Sequence, residues 1–261
     1  MKYTVEDVLQ YVESEDVKFI RLAFCDGRGR QKNLAVMPAS LEEAFRQGVA
    51  VDVSGLEGFE GQPTLLLRPD PATLTQMPWR PQHGRVVHLF CELLLPDGTP
   101  YPEDRRRALG ELAAAGGYTV ETTLDFTLYK LDEQGEATGE LLDQGGWLDV
   151  APADKGENVR RAVCLTLEQM GIQPTRSHHG AGPGRNLIQY APADPVSAAD
   201  HLVLFRDLVR TIAVQNGLCA GFSDSRFTLT LRRGEEIIQT AQYKGGEQDP
   251  YALLLGLLQA L

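Results

Sequence analysis

Apolar residues recur along this chain with two different periods, and the switches between them mark out its elements. Val5, Val8, Leu9 and Val12 fall three and four apart, Thr4 is placed to cap, and Glu6 and Asp7 occupy a first turn where the helix dipole favours acids. That spacing predicts a short helix. From Lys18 to Phe24 the period drops to two, Asp26-Gly27-Arg28-Gly29-Arg30 supplies turn residues, and Gln31 to Val36 returns, which predicts a β-hairpin. A second helix is expected over 41–47, a strand over 64–68 ending at Pro69, and a longer strand over 85–95 closed by Pro96-Asp97-Gly98. The first third therefore reads as a small sheet with a helix across it.

Beyond Pro100 the pattern becomes an amphipathic helix from Arg105 to Ala115, ended by Gly116-Gly117, then a strand from Tyr118 to Leu131. A long helix runs to Met170 with Val159, Ala162, Val163, Leu165, Leu167 and Met170 as its apolar stripe. Another, from Ala198 to Gln215, carries Leu202, Leu204, Leu208, Ile212 and Ala213 and is stopped by Asn216-Gly217. Both stripes read as packing rather than chemistry.

With 261 residues, 43% of them hydrophobic, the chain can bury a sizeable core as one large or two ordinary domains. Its net charge of -11 argues against nucleic acid or an anionic membrane as partner, since both require clustered Lys and Arg. The runs Arg105-Arg106-Arg107 and Arg232-Arg233 are short and read as solvated charge. Cys25, Cys91, Cys164 and Cys219 lie far apart with no Cys-x-x-Cys pair, so buried thiols in a reducing compartment are expected rather than a zinc knuckle or a disulfide framework. The first residues lack the apolar core of a signal peptide, and no apolar run approaches the ~20 residues that span a bilayer. The expected address is the cytoplasm.

Two local patterns invite chemistry. His178-His179 suggests a metal ligand or general base, but adjacent residues on a strand point to opposite faces and no Cys, Asp or Glu lies at ligand spacing, which favours a structural role. Gly180-Ala181-Gly182-Pro183-Gly184-Arg185 looks like a phosphate cradle, yet a true one leads from a strand into a helix start, whereas this run leads into the apolar Leu187-Ile188 strand. No Gly-x-Ser-x-Gly elbow and no nucleophilic cysteine beside a base is found.

Several stretches together resemble the glutamine synthetase family. They are Phe19-Ile20-Arg21-Leu22, Gly29-Arg30-Gln31-Lys32-Asn33, Leu56-Glu57-Gly58-Phe59, Leu67-Arg68-Pro69-Asp70, Pro78-Trp79, Gly146-Trp147-Leu148-Asp149-Val150-Ala151-Pro152, Ser177-His178-His179 and the tail from Asp249-Pro250-Tyr251. The resemblance implies an α+β fold: a β-grasp-like domain over 1–97 and, over 98–261, a shortened catalytic domain with an antiparallel sheet backed by helices. The family's tail helix normally lies much further along, so an internally deleted and C-terminally shortened relative is implied.

The same resemblance identifies the positions that carry the family's chemistry. Its Glu-Pro-Glu-Phe signature falls on Thr123-Leu124-Asp125-Phe126, its Ser-His-His-Glu on a run ending at Gly180, its next-strand glutamate on Leu187, and its metal-binding histidine on Thr228. Asp125 alone keeps a carboxylate there: glycine has no side chain and leucine no lone pair, so neither supplies the hard oxygen donors that Mg²⁺ or Mn²⁺ require, and Thr123 offers only a neutral hydroxyl. Asp52 matches the loop aspartate that in the family helps deprotonate ammonium in the neighbouring subunit's site; it is either that residue or an exposed loop aspartate, since Val53 stands for a glycine and Gly55 for a serine. A catalytically degenerate member is therefore expected, with no cofactor, acting as an assembly or regulatory subunit or a small-ligand binder. It would form a homo-oligomer or a mixed oligomer with a full-length glutamine synthetase, without the stacked double ring. The alternative is a residual ligase that uses ATP with Mg²⁺ or Mn²⁺ to join ammonia or an amine to glutamate.

Overall fold

The computed structural model describes residues 3–78, 83–114 and 116–261. Trp79 of the Pro78-Trp79 motif and Ala115 at the expected helix end lie outside the described residues. The chain divides into two compact units, Met1–Glu111 and Leu112–Leu261.

In the first unit, α1 (Val5–Ser14) starts at a capping box: the Thr4 hydroxyl accepts from the Asp7 N–H, and the Asp7 carboxylate accepts from the Thr4 N–H at 2.8 Å. Val8 and Val12 are its buried stripe. The hairpin of β1 (Val17–Cys25) and β2 (Gln31–Val36) turns over Asp26, whose Oδ1 accepts from the N–H groups of Arg28 and Arg30, both at 3.0 Å. After α2 (Leu41–Gln47) come β3 (Val49–Asp52), β4 (Thr64–Pro69), β5 (Thr75–Gln76) and β6 (Arg85–Leu94). The sheet order is β2-β1-β6-β4-β3 with β5 also on β6, and the β1–β6 pair is parallel. β6 is buried on both faces, which explains its nearly unbroken apolar run. β3 corrects the sequence reading, which takes Val51 to Phe59 as a loop: Gly48 at φ 76° ends α2 and turns the chain straight into a four-residue pairing with β4.

The loop after β3 is pinned backbone to backbone. Gly27 N–H donates to the Glu57 carbonyl at 2.8 Å, and a Cβ on Gly58, which sits at φ 89°, would lie 2.4 Å from Gly27 Cα. The Arg105-Arg106-Arg107 run is not simply solvated either. Helical spacing sends its members in different directions, and Arg106 is tucked against Asp70 at 2.9 Å and over the Phe90 ring.

α3 (Arg105–Ala113) leads into the second unit's strands β7 (Tyr118–Leu131), β8 (Ala137–Leu141), β9 (Pro174–His179), β10 (Arg185–Ala193), β11 (Leu218–Gly221), β12 (Arg226–Arg233) and β13 (Glu236–Lys244), with α4 (Glu157–Gln169), α5 (Pro195–Gln215) and α6 (Pro250–Gln259). Their order is β13-β12-β7-β10-β9, with β8 and β11 also paired to β7. Along β7 the period of two holds from Val120 to Phe126: Val120, Thr122, Leu124 and Phe126 are buried, as is Leu128 beyond them, while Glu121, Thr123 and Asp125 on the opposite face are half-buried and Thr127 is covered. α5 packs on the buried face, where Phe205 meets Phe126 at 6.2 Å and Tyr190 at 5.8 Å. α6 packs on α5, and its Tyr251 hydroxyl donates to Asp200 at 2.7 Å. Of the four free cysteines, expected to be buried, only Cys91 is; Cys25, Cys164 and Cys219 are half-buried. Among the described residues no helix is long and apolar enough to cross a membrane.

Replacing Gly58 by alanine is expected to lower stability by roughly 2–4 kcal/mol, combining a positive-φ penalty with a backbone overlap. Gly61→Ala, at φ 82° but with open space around it, bears only the first and should lose roughly 1–2 kcal/mol. Denaturant unfolding of the two variants measures the difference.

Candidate functional site

The half-buried face of the second sheet gathers the positions that the sequence singles out. In register, Leu187 on β10 lies opposite Asp125 on β7, with His178 on β9 opposite Leu187, and Thr123 lies between Gln189 and Thr228 of the strands on either side. Thr123, Asp125, Leu187 and Thr228 thus share one face, and Gly180 follows directly on β9. Glu121 shares it too. The family signature makes Asp125 the one carboxylate there, whereas strand alternation places Glu121 two residues before Thr123 on the same side.

Both carboxylates are held by arginine. Asp125 Oδ2 accepts from Arg185 Nη1 at 2.9 Å, its Oδ1 accepts from the Arg226 N–H, and Arg185 Nη2 donates to the Asp224 carbonyl at 2.9 Å. Burial pushes the Asp125 carboxyl above its ordinary value, and the Arg226 N–H and Arg185 charge only partly offset this. Glu121 Oε2 accepts from Arg232 Nε at 3.2 Å and Nη2 at 3.1 Å, while Gln189 donates to Oε1. Arg232 is therefore an ion-pair partner rather than the solvated strand-end charge that the sequence suggests. Arg233 stacks over the Tyr118 ring.

These residues do not fit a polyvalent cation. Asp125 is already matched by a guanidinium, Thr123 and Thr228 are neutral, and Leu187 has no donor. Gly180 is bare for a physical reason: a Cβ there would lie 2.8 Å from Arg185 Cβ and 3.2 Å from its carbonyl carbon. Glu121 stands four strand residues, about 13 Å, from Asp125, too far to share one ion.

A second polar group is buried beside this face. Asp143, Asp154 and His179 bring their ligand-type atoms within 4.8 Å of one another. The sequence reading found no acid at ligand spacing from the histidines; Asp143 comes from 36 residues upstream and carries no local signal. The group is saturated without an ion. Asp143 Oδ1 accepts from His179 Nε2 at 3.0 Å and from the Gly184 and Gly145 N–H groups, and Oδ2 from the Lys155 N–H. Asp154 takes both Nη atoms of Arg160, whose Nη1 also reaches Asn186. There is no slack around it, since a Cβ on Gly156 would lie 2.2 Å from Asn186 Oδ1. This is a clamp. It fixes the loop from Asp143 to Lys155, which leaves Trp147 57% exposed and edge-on to the His178 ring at 4.6 Å, with Leu148 at φ 62°.

Asp52 belongs to the first unit, exposed at the end of β3, where Ser54 holds its carboxyl below the ordinary value through the side chain first and then the N–H, at 2.9 Å. Val53 is fully buried and anchors the loop, and Gly55 faces open space. The same loop walls a recess of about 430 Å³, lined among others by Leu56, Phe59 and Pro63. Gly180 to Arg185 forms a tight turn, closed by the Gly180 N–H donating to the Arg185 carbonyl at 2.8 Å, and it leads into β10 rather than a helix.

Comparison with known proteins places these features. Residues 16–96 match the family model of the glutamine synthetase beta-Grasp domain, and residues 105–228 that of the glutamine synthetase catalytic domain. A glutamine synthetase of Clostridium saccharobutylicum is 39% identical over 228 residues, which are 85% of this chain and 52% of that protein. One from Methanosarcina mazei is 40% identical over 226 residues, 84% and 51%. One from Staphylococcus aureus is 37% identical over 252 residues, 90% and 56%. The chain spans about half the length of the curated relatives it matches. Among solved structures, a GmaS/ADP complex superposes with a TM-score of 0.74 at 20% identity, over 89% of this chain and 57% of that one. A Plasmodium falciparum glutamine synthetase gives 0.76 at 14% identity, over 91% and 56%. At such identities they speak to the fold.

The clamp predicts a pH profile. Burial alone would raise the Asp143 and Asp154 carboxyls, but the Lys155 and Gly184 N–H groups and His179 in one case, and Arg160 in the other, hold them below 3.8. Their stabilisation is present above 3.8 and lost as pH falls through the lowered values. Burial alone would lower His179, but Asp143 and the Gly180 carbonyl raise it above 6.5, so its contribution is complete below 6.5 and lost as pH rises through the raised value. The clamp's own contribution to stability should be greatest between 3.8 and 6.5. Asp143→Asn should flatten both limbs and lose roughly 3–5 kcal/mol, as read by unfolding across pH.

Proposed function

The chain belongs to the glutamine synthetase family, and on that premise we propose that it is a catalytically degenerate member, acting in nitrogen metabolism as an assembly or regulatory subunit or as a small-ligand binder. One observation carries this reading: Arg185 engages the Asp125 carboxylate at the position where the family's chemistry calls for a metal. Joining ammonia to glutamate through a γ-glutamyl phosphate needs cations to hold the charge that develops as phosphoryl transfers. On this face every described carboxylate is matched by an arginine of the chain itself, and Gly180 and Leu187 bring no oxygen donor. ATP and Mg²⁺ or Mn²⁺ therefore have no part in the proposed role.

The β-grasp match over 16–96 supports the assembly form of the proposal. Burial of apolar surface drives association whether or not the site that an interface once built is still active. A homo-oligomer, or a mixed oligomer with a full-length glutamine synthetase, follows. A second reading, residual glutamate–ammonia or glutamate–amine ligase activity, is favoured by the 37–40% identity to proteins named glutamine synthetase.

Two measurements separate these readings. The purified protein is expected to make no glutamine from glutamate, ammonia and Mg-ATP; steady turnover that Asp125→Ala abolishes would replace the proposal with the ligase. Sedimentation of the protein alone and mixed with a full-length glutamine synthetase should show an oligomer in at least one run, and a monomer in both would remove the assembly role.

A further inference from the structure

We infer that the Arg185 guanidinium is the resident cation of the second sheet's half-buried face, a covalently attached group in the place a bound metal ion would have to fill. The inference rests on the reading that this face takes no divalent ion, and it adds which residue makes that possible.

Two acceptors from different parts of the chain converge on this one side chain: Asp125 Oδ2 and the Asp224 carbonyl, each 2.9 Å from a separate Nη atom. A carboxylate oxygen and a main-chain carbonyl are the donors a hard cation recruits, and a planar guanidinium presents its N–H groups as a fork that serves both. The other Asp125 oxygen is taken by the Arg226 N–H, so the carboxylate is satisfied on both sides. The arginine starts on β10, the carboxylate on β7 and the Arg226 N–H that the carboxylate accepts at the head of β12, so one ion pair fastens three adjacent strands.

Gly180 is compatible with this arrangement: with the backbone as it stands, a Cβ at 180 would lie 2.8 Å from the Cβ and 3.2 Å from the carbonyl carbon of residue 185, so position 180 brings no competing ligand to Asp125. Glu121 repeats the arrangement two residues before Thr123, with Arg232 as its cation and Gln189 as a neutral donor. The face is thus neutralised pair by pair from within the chain, with no dependence on metal concentration.

The test compares thermal midpoints and Mn²⁺ binding, by electron paramagnetic resonance, for the wild-type chain, Arg185→Lys, Arg185→Gln and the double variant Arg185→Gln with Asp125→Asn. Wild type should be unmoved by chelator or millimolar Mn²⁺ and should bind no Mn²⁺ at Asp125. Arg185→Gln, neutral and of similar reach, should lower the midpoint by about 4 °C or more, and Arg185→Lys, which keeps the charge but loses the fork, by clearly less. Millimolar methylguanidinium or Mn²⁺ should restore part of the Arg185→Gln loss but none in the double variant. Equal losses for Lys and Gln, or a Gln loss that no cation restores, would overturn the role of Arg185 while leaving the degenerate reading in place. Asp125-dependent Mn²⁺ binding by the wild type would overturn both.

Discussion

The ion pair between Arg185 and Asp125 decides what the half-buried face of the second sheet can do. β7 runs through the middle of that sheet, and its alternation commits Val120, Leu124, Phe126 and Leu128 to the core beneath α5, which leaves Glu121, Thr123 and Asp125 to face outward. A half-buried carboxylate on such a strand must find a cation or take up a proton, because burial penalises its charge. Here the cation is built in. Its geometry also accounts for a neighbouring choice: a leucine at 187, which lies opposite Asp125 and asks for no further counter-charge, while the backbone and Cβ of residue 185 leave no room for a side chain at 180.

The buried clamp on the far side of β9 works differently and makes a useful contrast. His178 and His179 leave the strand on opposite faces: His179 enters the network of Asp143, Asp154, Arg160 and Asn186, while His178 meets Trp147 at the surface. Every polar atom that Asp143 offers is engaged, and the glycines at 145 and 156 let the backbone close around the network. A cluster of two acids and a histidine would draw a metal if it were open. Filled by Arg160 and by backbone N–H groups, it instead fixes a loop that carries a strained Leu148 and an exposed indole.

Much of this was legible in the sequence, where local rules governed. The capping box at Thr4, the hairpin over Asp26 and the long alternation of β7 appear where spacing and turn residues place them, because each depends on neighbours a few residues away. β3 was not legible, since four residues of weak alternation become a strand only by pairing with β4. Glu121 obeys the same alternation as Thr123 and Asp125, but it lies outside the four-residue signature that marks those two positions. The partners of His179 and Asp125 had no local trace. Asp143 stands 36 residues from His179, and Arg185 stands 60 residues from Asp125, so only strand register brings them together.

The most direct check is a crystal grown with Mn²⁺ and a non-hydrolysable ATP analogue, with anomalous scattering recorded at the manganese edge. The account predicts no anomalous peak beside Asp125 and continuous density for the Arg185 guanidinium between Asp125 and the Asp224 carbonyl. A manganese peak within coordination distance of Asp125, with Arg185 swung away to admit it, would contradict the account.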